Sequence, residues 1–337
     1  MPDRFHLDMV VFETTDACNQ SCKFCYNHFK SQQGYTMDAP NFAMAKKSLQ
    51  TLLQQAEVGS ISLSGGEPLL LPRLFDLILK ARFAGSQVHL LTNGTLLTDD
   101  AISFCRDLGV EMIQIPILAQ NAELHDSITG LTGSWQMAVT AARKIAQWDS
   151  RRLIPVFILS ALNIDQTLPT LELYRDMGVK QIMFNRFNVG GLGIQHWREL
   201  RLTTQQLQNT FAAVSRFMVE NDMTANSGVC SPICILDPKR YPGIRFAYCN
   251  TDISHRPITV NYRGDVRYCN HSPKVLGNIH DKPIDKILTE ATASGYFDSV
   301  PDACATCNHW SRCRGGCRAA SEQLHGRFDL ADPILSE

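Results

Sequence analysis

The chain has 337 residues, 44% of them hydrophobic, with 32 basic against 33 acidic side chains and a formal net charge of −1. That length is too great for one small core and suits a large domain with a smaller one attached, and the balanced charge excludes a general nucleic-acid surface or a polybasic membrane anchor. No apolar run reaches the about 18 residues of a membrane span and no charged-then-apolar leader opens the chain, so a soluble, cytoplasmic protein without nucleic-acid or membrane partners is expected.

Between roughly residues 8 and 220 the chain alternates strand and helix. Apolar runs at Met9–Phe12, Ile61–Leu63, Val88–Leu91, Met112–Leu118, Leu153–Leu159 and Ile182–Phe187 read as strands. A helical face runs through Phe42, Ala45, Leu49, Leu52, Leu53 and Ala56. Another runs through Ile102, Cys105 and Leu108, with Thr98 as N-cap and Gly109 as stop. Leu168, Leu171, Tyr174 and Met177 repeat the pattern up to Gly178, and a last amphipathic helix spans about Thr204 to Glu220. Six such strand–helix units imply a parallel sheet with right-handed crossovers, two units short of a closed eightfold barrel. The fold class expected is α/β: an open, partial (β/α)6 TIM-type barrel over residues 1–225, followed by a cysteine-rich domain over 226–337.

Twelve cysteines in a chain without a secretory signal favour metal ligation over disulfides. Cys18, Cys22 and Cys25 form a C-x3-C-x2-C triplet just after the first strand. Three thiolates so close in sequence can hold three corners of a cubic iron–sulfur cluster and leave one iron open; a zinc site is the plain alternative. After the second strand comes Ser64-Gly65-Gly66-Glu67-Pro68, where two glycines let the backbone approach a ligand and Glu67 offers a carboxylate to an ammonium group. Chemistry in such barrels sits at the C-terminal strand ends, where Thr92-Asn93-Gly94, Ser160 and Asn185-Arg186-Phe187 also fall. Cys105, alone on an apolar helix face, reads as a buried filler.

From about Ser227 the alternation stops and eight cysteines follow: Cys230, Cys234, Cys249 and Cys269, then Cys304-x2-Cys307-x5-Cys313-x3-Cys317. Ile258–Tyr262, the turn Arg263-Gly264-Asp265 and Val266–Tyr268 read as a hairpin that delivers Cys269. Gly277-Asn278-Ile279 and a helix-like Ile284–Leu288 come next. A pair of zinc ribbons shares the C-x2-C units but not the partner spacing.

The triplet and the Gly-Gly-Glu-Pro turn together resemble the radical S-adenosylmethionine (radical SAM) superfamily, over about the first two-thirds of the chain. The resemblance implies a [4Fe–4S] cluster on Cys18, Cys22 and Cys25 whose open iron chelates SAM, with Phe24 near the adenine. It also implies cofactor contacts from Ser64, Gly65, Gly66, Glu67 and Pro68, from Asn93, and from Ser160, Asn185 and Arg186. The later cysteines resemble the SPASM domain, which implies two auxiliary [4Fe–4S] clusters: the first on Cys249, Cys269 and Cys317 with Cys234 or Cys230, the second on Cys304, Cys307 and Cys313. The pattern departs from the family in having no Cys after Cys317. Cys230, or an oxygen or nitrogen donor such as His325, Asp329 or Asp332, stands open as the last ligand, as does an iron left open.

The resemblance implies reductive cleavage of SAM to a 5′-deoxyadenosyl radical, hydrogen abstraction from a substrate, and a flavodoxin or ferredoxin reductant. SPASM proteins most often modify ribosomally made peptides, so oxidative modification such as crosslinking is expected. A redox-neutral epimerase, or a dehydrogenase acting on a peptide or an aminoglycoside-like molecule, is the alternative, with Cys230 as a candidate hydrogen donor. Glu123-Leu124-His125-Asp126 with Gly130 and Gly133-Ser134 resembles the segment after strand four of the peptide-acting branch. The chain starts almost directly with strand one, so leader recognition would need a separate leader-binding protein. Sulfatase-maturing members place an Asp after the Cys equivalent to Cys269; Asn270 stands there instead. His271 is a candidate base, with an exposed hairpin residue the favoured reading.

Overall fold

The computed structural model describes residues 4–31, 37–253 and 255–335. Its elements run β1 (Phe5–Glu13), α1 (Phe42–Gln55), β2 (Ala56–Ser64), α2 (Leu74–Phe83), β3 (Gln87–Leu91), α3 (Asp99–Asp107) and β4 (Met112–Pro116). Then come α4 (Ala122–Thr129), α5 (Ser134–Asp149), β5 (Leu153–Leu159), α6 (Thr167–Asp176), β6 (Gln181–Arg186), α7 (Trp197–Leu200) and α8 (Thr204–Glu220). The remainder is β7 (Thr224–Ser227), β8 (Ile244–Phe246), β9 (Ile258–Asn261), β10 (Asp265–Arg267), β11 (Val275–Asn278), α9 (Ile284–Ala293), α10 (Trp310–Cys313) and α11 (Arg318–His325). All six expected strands form, and the expected Thr98 cap works as chemistry predicts. The Thr98 hydroxyl accepts from Ala101 N at 3.2 Å. Thr203 and Gln206 exchange hydrogen bonds as a capping box at the head of α8.

The chain forms two compact units, each drawn from several stretches. The first takes Met1–Asn19, Gln33–Ile113 and Asn250–Ser299. Here β1 pairs in parallel with β2 on one side and β9 on the other, β2 pairs in parallel with β3, and β9, β10 and β11 continue antiparallel. The last four residues of β1 are all buried, as a strand covered on both faces requires. Leu7, Val10, Phe12, Leu49, Leu52, Ile61, Leu63, Val88 and Leu90 make its core. The expected hairpin is present, with Gly264 at φ 91° in the left-handed region its turn demands.

The second unit takes Gln20–Gln32, Gln114–Cys249 and Val300–Glu337. Strands β5, β6, β7 and β8 pair in parallel, in that order. The core is aromatic: Phe157 stacks on Phe184 at 5.6 Å between ring centroids, and Phe184 meets Phe211 edge-on at 5.1 Å. β7 and β8 correct the expectation that alternation stops at the last long helix. They are short, and Thr224-Ala225-Asn226-Ser227 carries no apolar run. Their backbone bonds, Ala225 N to Gly243 O and Ala247 N to Ser227 O, both 2.9 Å, hold them in register. Among the described residues no helix is long and apolar enough to cross a membrane.

Candidate functional site

The parallel ladder of the first unit runs past its strand ends into two loops. Glu13 and Ser64 are register partners. Beyond them, Thr14 N donates to Ser64 O at 2.9 Å, Gly66 N to Thr15 O at 2.8 Å, and Glu67 N to Ala17 O at 2.8 Å. The Gly-Gly-Glu-Pro turn is thereby bonded to the residue that precedes Cys18. Both glycines are obligatory. A Cβ on Gly65 (φ 126°) would lie 2.3 Å from Thr15 O, and one on Gly66 would lie 2.0 Å from Ala17 O.

Glu67 is fully withdrawn from water. Its carboxylate accepts from the Thr92 hydroxyl at 2.7 Å, Asn93 N at 2.7 Å and Leu69 N at 3.0 Å. Burial pushes its pKa up, and those donors hold it back. These three donors tie the β2 turn, through Glu67, to the end of β3. Pro68 opens the short turn that Glu67 caps. Asn93 donates its amide to Asn19 Oδ1 at 2.8 Å and accepts from Thr95, while Asn19 donates to the Thr95 hydroxyl at 2.8 Å. Asn19 directly follows Cys18.

The β9–β10 hairpin braces the same loop. Asp16 accepts from Arg263 Nη1 at 2.6 Å and from the Tyr262 hydroxyl at 3.2 Å. Glu13 and Arg267 form an ion pair buried in the same unit. Arg267 also donates to Ser272 O at 2.8 Å, fastening the segment that carries Cys269. His271 in that segment is 6% exposed, which corrects the reading of it as an exposed hairpin residue: the Arg267 bonds fold the 269–272 turn inward.

In the second unit, Ser21 N and Lys23 N donate to Thr129 O and Ile128 O at 3.0 and 2.9 Å, strapping the Cys22 stretch to the end of α4. The Cys22 thiol donates to Gln20 Oε1 at 3.2 Å. Cys25 O accepts from Gly193 N at 3.2 Å. A Cβ on Gly191 would lie 2.5 Å from both Cys25 O and Asn27 O, so only glycine fits. Gln323 on α11 closes the arrangement, accepting from Gly191 N at 2.8 Å and donating to Tyr26 O at 3.0 Å. Phe24 packs against a cluster of Phe187, Val189, Leu200 and Ala320. The sequence reading passed over Gln323, Asp16, Glu13 and the Gly190–Gly193 stretch. Only the glycine cluster after β6 carries a local signal.

The strand-end candidates have protein partners. Ser160 N and hydroxyl both donate to Asn163 Oδ1, and Asn185 Oδ1 accepts from Gly228 N at 2.8 Å. Arg186, 3% exposed, pairs with Asp332, 1% exposed. It also donates to the Ser231 hydroxyl and to Cys230 O, both at 3.0 Å. Asp332 in turn accepts from Cys317 N at 2.8 Å, and Asn188 donates to Cys317 Sγ at 3.1 Å. Asp329 is held by Arg327 at the surface. His125 is buried, and its Nδ1 accepts from Leu118 N at 3.1 Å; burial drives its pKa down to about 4, so it stays neutral. Cys105 is buried, with its thiol pushed up to about 12 by that burial.

The late cysteines of this unit share one electrostatic neighbourhood. Burial, then the Cys313 and Cys307 thiolates, raise the thiol of Cys234; burial, then Cys313, Cys307 and Cys234, raise Cys304. Ile233 N donates to Cys313 Sγ and His309 N to Cys307 Sγ, each at 3.4 Å. Among the described residues no three His, Cys, Asp or Glu side chains converge on a single-ion centre. Soft thiolate donors in groups, fed by backbone N–H···S bonds, are the donor set of an iron–sulfur cluster.

The sequence pattern of the Radical SAM superfamily matches residues 12–202, and that of an iron–sulfur cluster-binding domain, SPASM, matches 249–313. The AdoMet-dependent heme synthase of Methanosarcina barkeri is 23% identical over 96% of this chain and 95% of that protein. The PqqA peptide cyclase of Gluconobacter oxydans is 24% identical over 97% and 90%. Among solved structures, Streptococcus suis SuiB bound to its precursor peptide SuiA superposes with a TM-score of 0.75 at 13% identity, covering 98% of this chain and 76% of that one. The AdoMet-bound anSMEcpe superposes with a TM-score of 0.71 at 16% identity, covering 97% and 94%. These likenesses share the TIM-like α/β fold, and the family brings SAM and iron–sulfur clusters as cofactors. The chain belongs to the radical SAM superfamily and is an enzyme of its SPASM-bearing kind.

Proposed function

We propose that this enzyme oxidatively modifies a ribosomally made peptide, forming a crosslink, with SAM bound at the Cys18–Cys25 loop. The observation that carries the SAM assignment is the backbone bond from Glu67 to Ala17, which fastens the Gly-Gly-Glu-Pro turn to the start of the cysteine triplet. Cys18, Cys22 and Cys25 would hold the cluster, and the bare backbone of Gly65 and Gly66 leaves room for a ligand to approach. When bound, the reduced cluster supplies the electron that cleaves SAM and yields the radical that removes hydrogen from the substrate.

The chain's own part is positional. Glu67, Asn93 and Asn19 fix the first half of the loop; Gly191, Gly193 and Gln323 fix the second. Pre-organised loops of this kind hold reacting groups at fixed geometry. Peptide as substrate class is supported by the relatives named as a PqqA peptide cyclase and as SuiB with a precursor peptide. A flavodoxin or ferredoxin would supply electrons, and a separate protein would bind the leader. We keep residues 1–225 as the SAM-cleaving domain and 226–337 as the auxiliary-cluster domain.

The test is mass spectrometry of product made in D2O from a candidate precursor peptide encoded beside the gene. Loss of two hydrogens without deuterium incorporation is expected. One deuterium at unchanged skeletal mass would mean epimerisation, and turnover of a tetrapyrrole or sugar in place of the peptide would overturn the substrate class.

A further inference from the structure

Residues 318–337 carry no cysteine, and the SPASM match runs from residue 249 to 313. Cys230 and Cys234 lie outside that match, yet the fold treats them differently. Cys234 sits in a tight turn in which Ile235 N and Leu236 N both donate to Pro232 O at 3.0 Å. That turn is seated on the late cysteines. Ile233 N reaches Cys313 Sγ at 3.4 Å, and Pro232 Cδ lies 2.8 Å from where a Cβ would stand on Gly316. Gly316 has φ 80°, and a Cβ on its neighbour Gly315 would be 3.5 Å from Cys304 Sγ. The two glycines therefore let the Cys313–Cys317 turn close between Cys304 and the Cys234 turn.

Cys230 is held by different partners. Its carbonyl is held by Arg186, whose partner Asp332 holds the amide of Cys317. One ion pair thus grips the Cys230 and Cys317 backbones together.

We propose that Cys234 completes the second auxiliary cluster with Cys304, Cys307 and Cys313, and that Cys230 stands with Cys317 in the first. This rests on the iron–sulfur reading above. The assignment sets Cys234, Cys304, Cys307 and Cys313 in one cluster and pairs Cys230 with Cys317 in the other. It takes from upstream a ligand that residues 318–337 do not supply, and it leaves neither Cys230 nor Cys234 over to act as a hydrogen donor.

Alkylation followed by peptide mass spectrometry tests it on the anaerobically reconstituted full chain, with iron and sulfide counted on the same sample. Cys234 is exposed, so it labels readily unless a metal holds it. In the loaded protein it is expected to resist iodoacetamide about tenfold better than after chelation, since a ligating thiolate is no longer a free nucleophile. As chelator is added it should become reactive in step with Cys304, Cys307 and Cys313, and Cys230 in step with Cys317. A second arm uses a Cys18→Ala/Cys22→Ala/Cys25→Ala background. There Cys234→Ala and Cys304→Ala should each lose one cluster's iron and their combination no more, whereas Cys230→Ala with Cys304→Ala should lose both. Free labelling of Cys234 in fully iron-loaded protein, or additive iron loss in the Cys234→Ala/Cys304→Ala variant, would overturn the assignment. Protein that takes up no iron under any reconstitution would count against the cofactor reading itself, and this assignment would fall with it.

Discussion

Arg186 and Asp332 form an ion pair almost wholly withdrawn from water, and each partner also holds the backbone of a cysteine: Arg186 the carbonyl of Cys230, Asp332 the amide of Cys317. Desolvating two charges is costly, and breaking such a pair leaves the survivor unmatched. Arg186→Met should therefore cost about 3–5 kcal/mol in denaturant melts, and Arg186→Met/Asp332→Leu clearly less than the sum of the single variants. Equal losses in the double variant and in that sum would mean that the pair contributes no coupling.

The turn that Glu67 marks was legible in the sequence, but the part of its carboxylate in joining that turn to β3 was not. Its position after a strand and two glycines marked the turn; that its carboxylate is spent on Thr92, Asn93 and Leu69 depends on where β3 ends, which no local pattern encodes. Glu67→Gln replaces an acceptor with an amide donor facing other donors. A loss of about 1–3 kcal/mol is expected without any SAM present. A variant of unchanged stability but weakened SAM affinity would leave the carboxylate with the ammonium-ligand role alone.

Gly66→Ala tests the fit between the two loops. Its Cβ would meet backbone atoms only, Ala17 O at 2.0 Å and Asp16 O at 2.8 Å, so the Cys18 loop must move. A displacement near 1 Å at a reacting centre costs about a hundredfold in rate. SAM cleavage by Gly66→Ala should fall by about that factor in cluster-loaded protein, and a wild-type rate would show that the loop gives without consequence.

Asp126 supplies a pH signature. Although partial burial raises its pKa, bonds from Trp135 N, Gly133 N and the Ser134 hydroxyl bring it below the ordinary aspartate range. A depressed folded pKa contributes stability that is full above the unfolded value and is lost as pH falls through the folded one. Asp126→Asn should cost about 1 kcal/mol near neutrality, the usual size of a helix N-terminal cap. The gap to wild type should close as pH drops through the depressed value, and a gap independent of pH would refute the charge-based account.

Much of the architecture was written in periodicity. The six strands, the Thr98 cap and the Cys269 hairpin follow from local pattern alone. What was not legible is long-range. β7 is polar, both β7 and β8 are only three to four residues long, and they extend the edge that β6 offers. Gln323 lies 132 residues from the Gly191 amide it accepts from, and its side chain marks no motif. The burial of His271 depends on the bond from Arg267 to Ser272.

The central claim is that the Cys18, Cys22 and Cys25 loop cleaves SAM, and 5′-deoxyadenosine release measures it. Reconstituted protein reduced with dithionite should form this product from SAM, and Cys22→Ala should form none. Iron-loaded wild-type protein that releases no 5′-deoxyadenosine, or a Cys22→Ala variant that releases as much, would contradict the account.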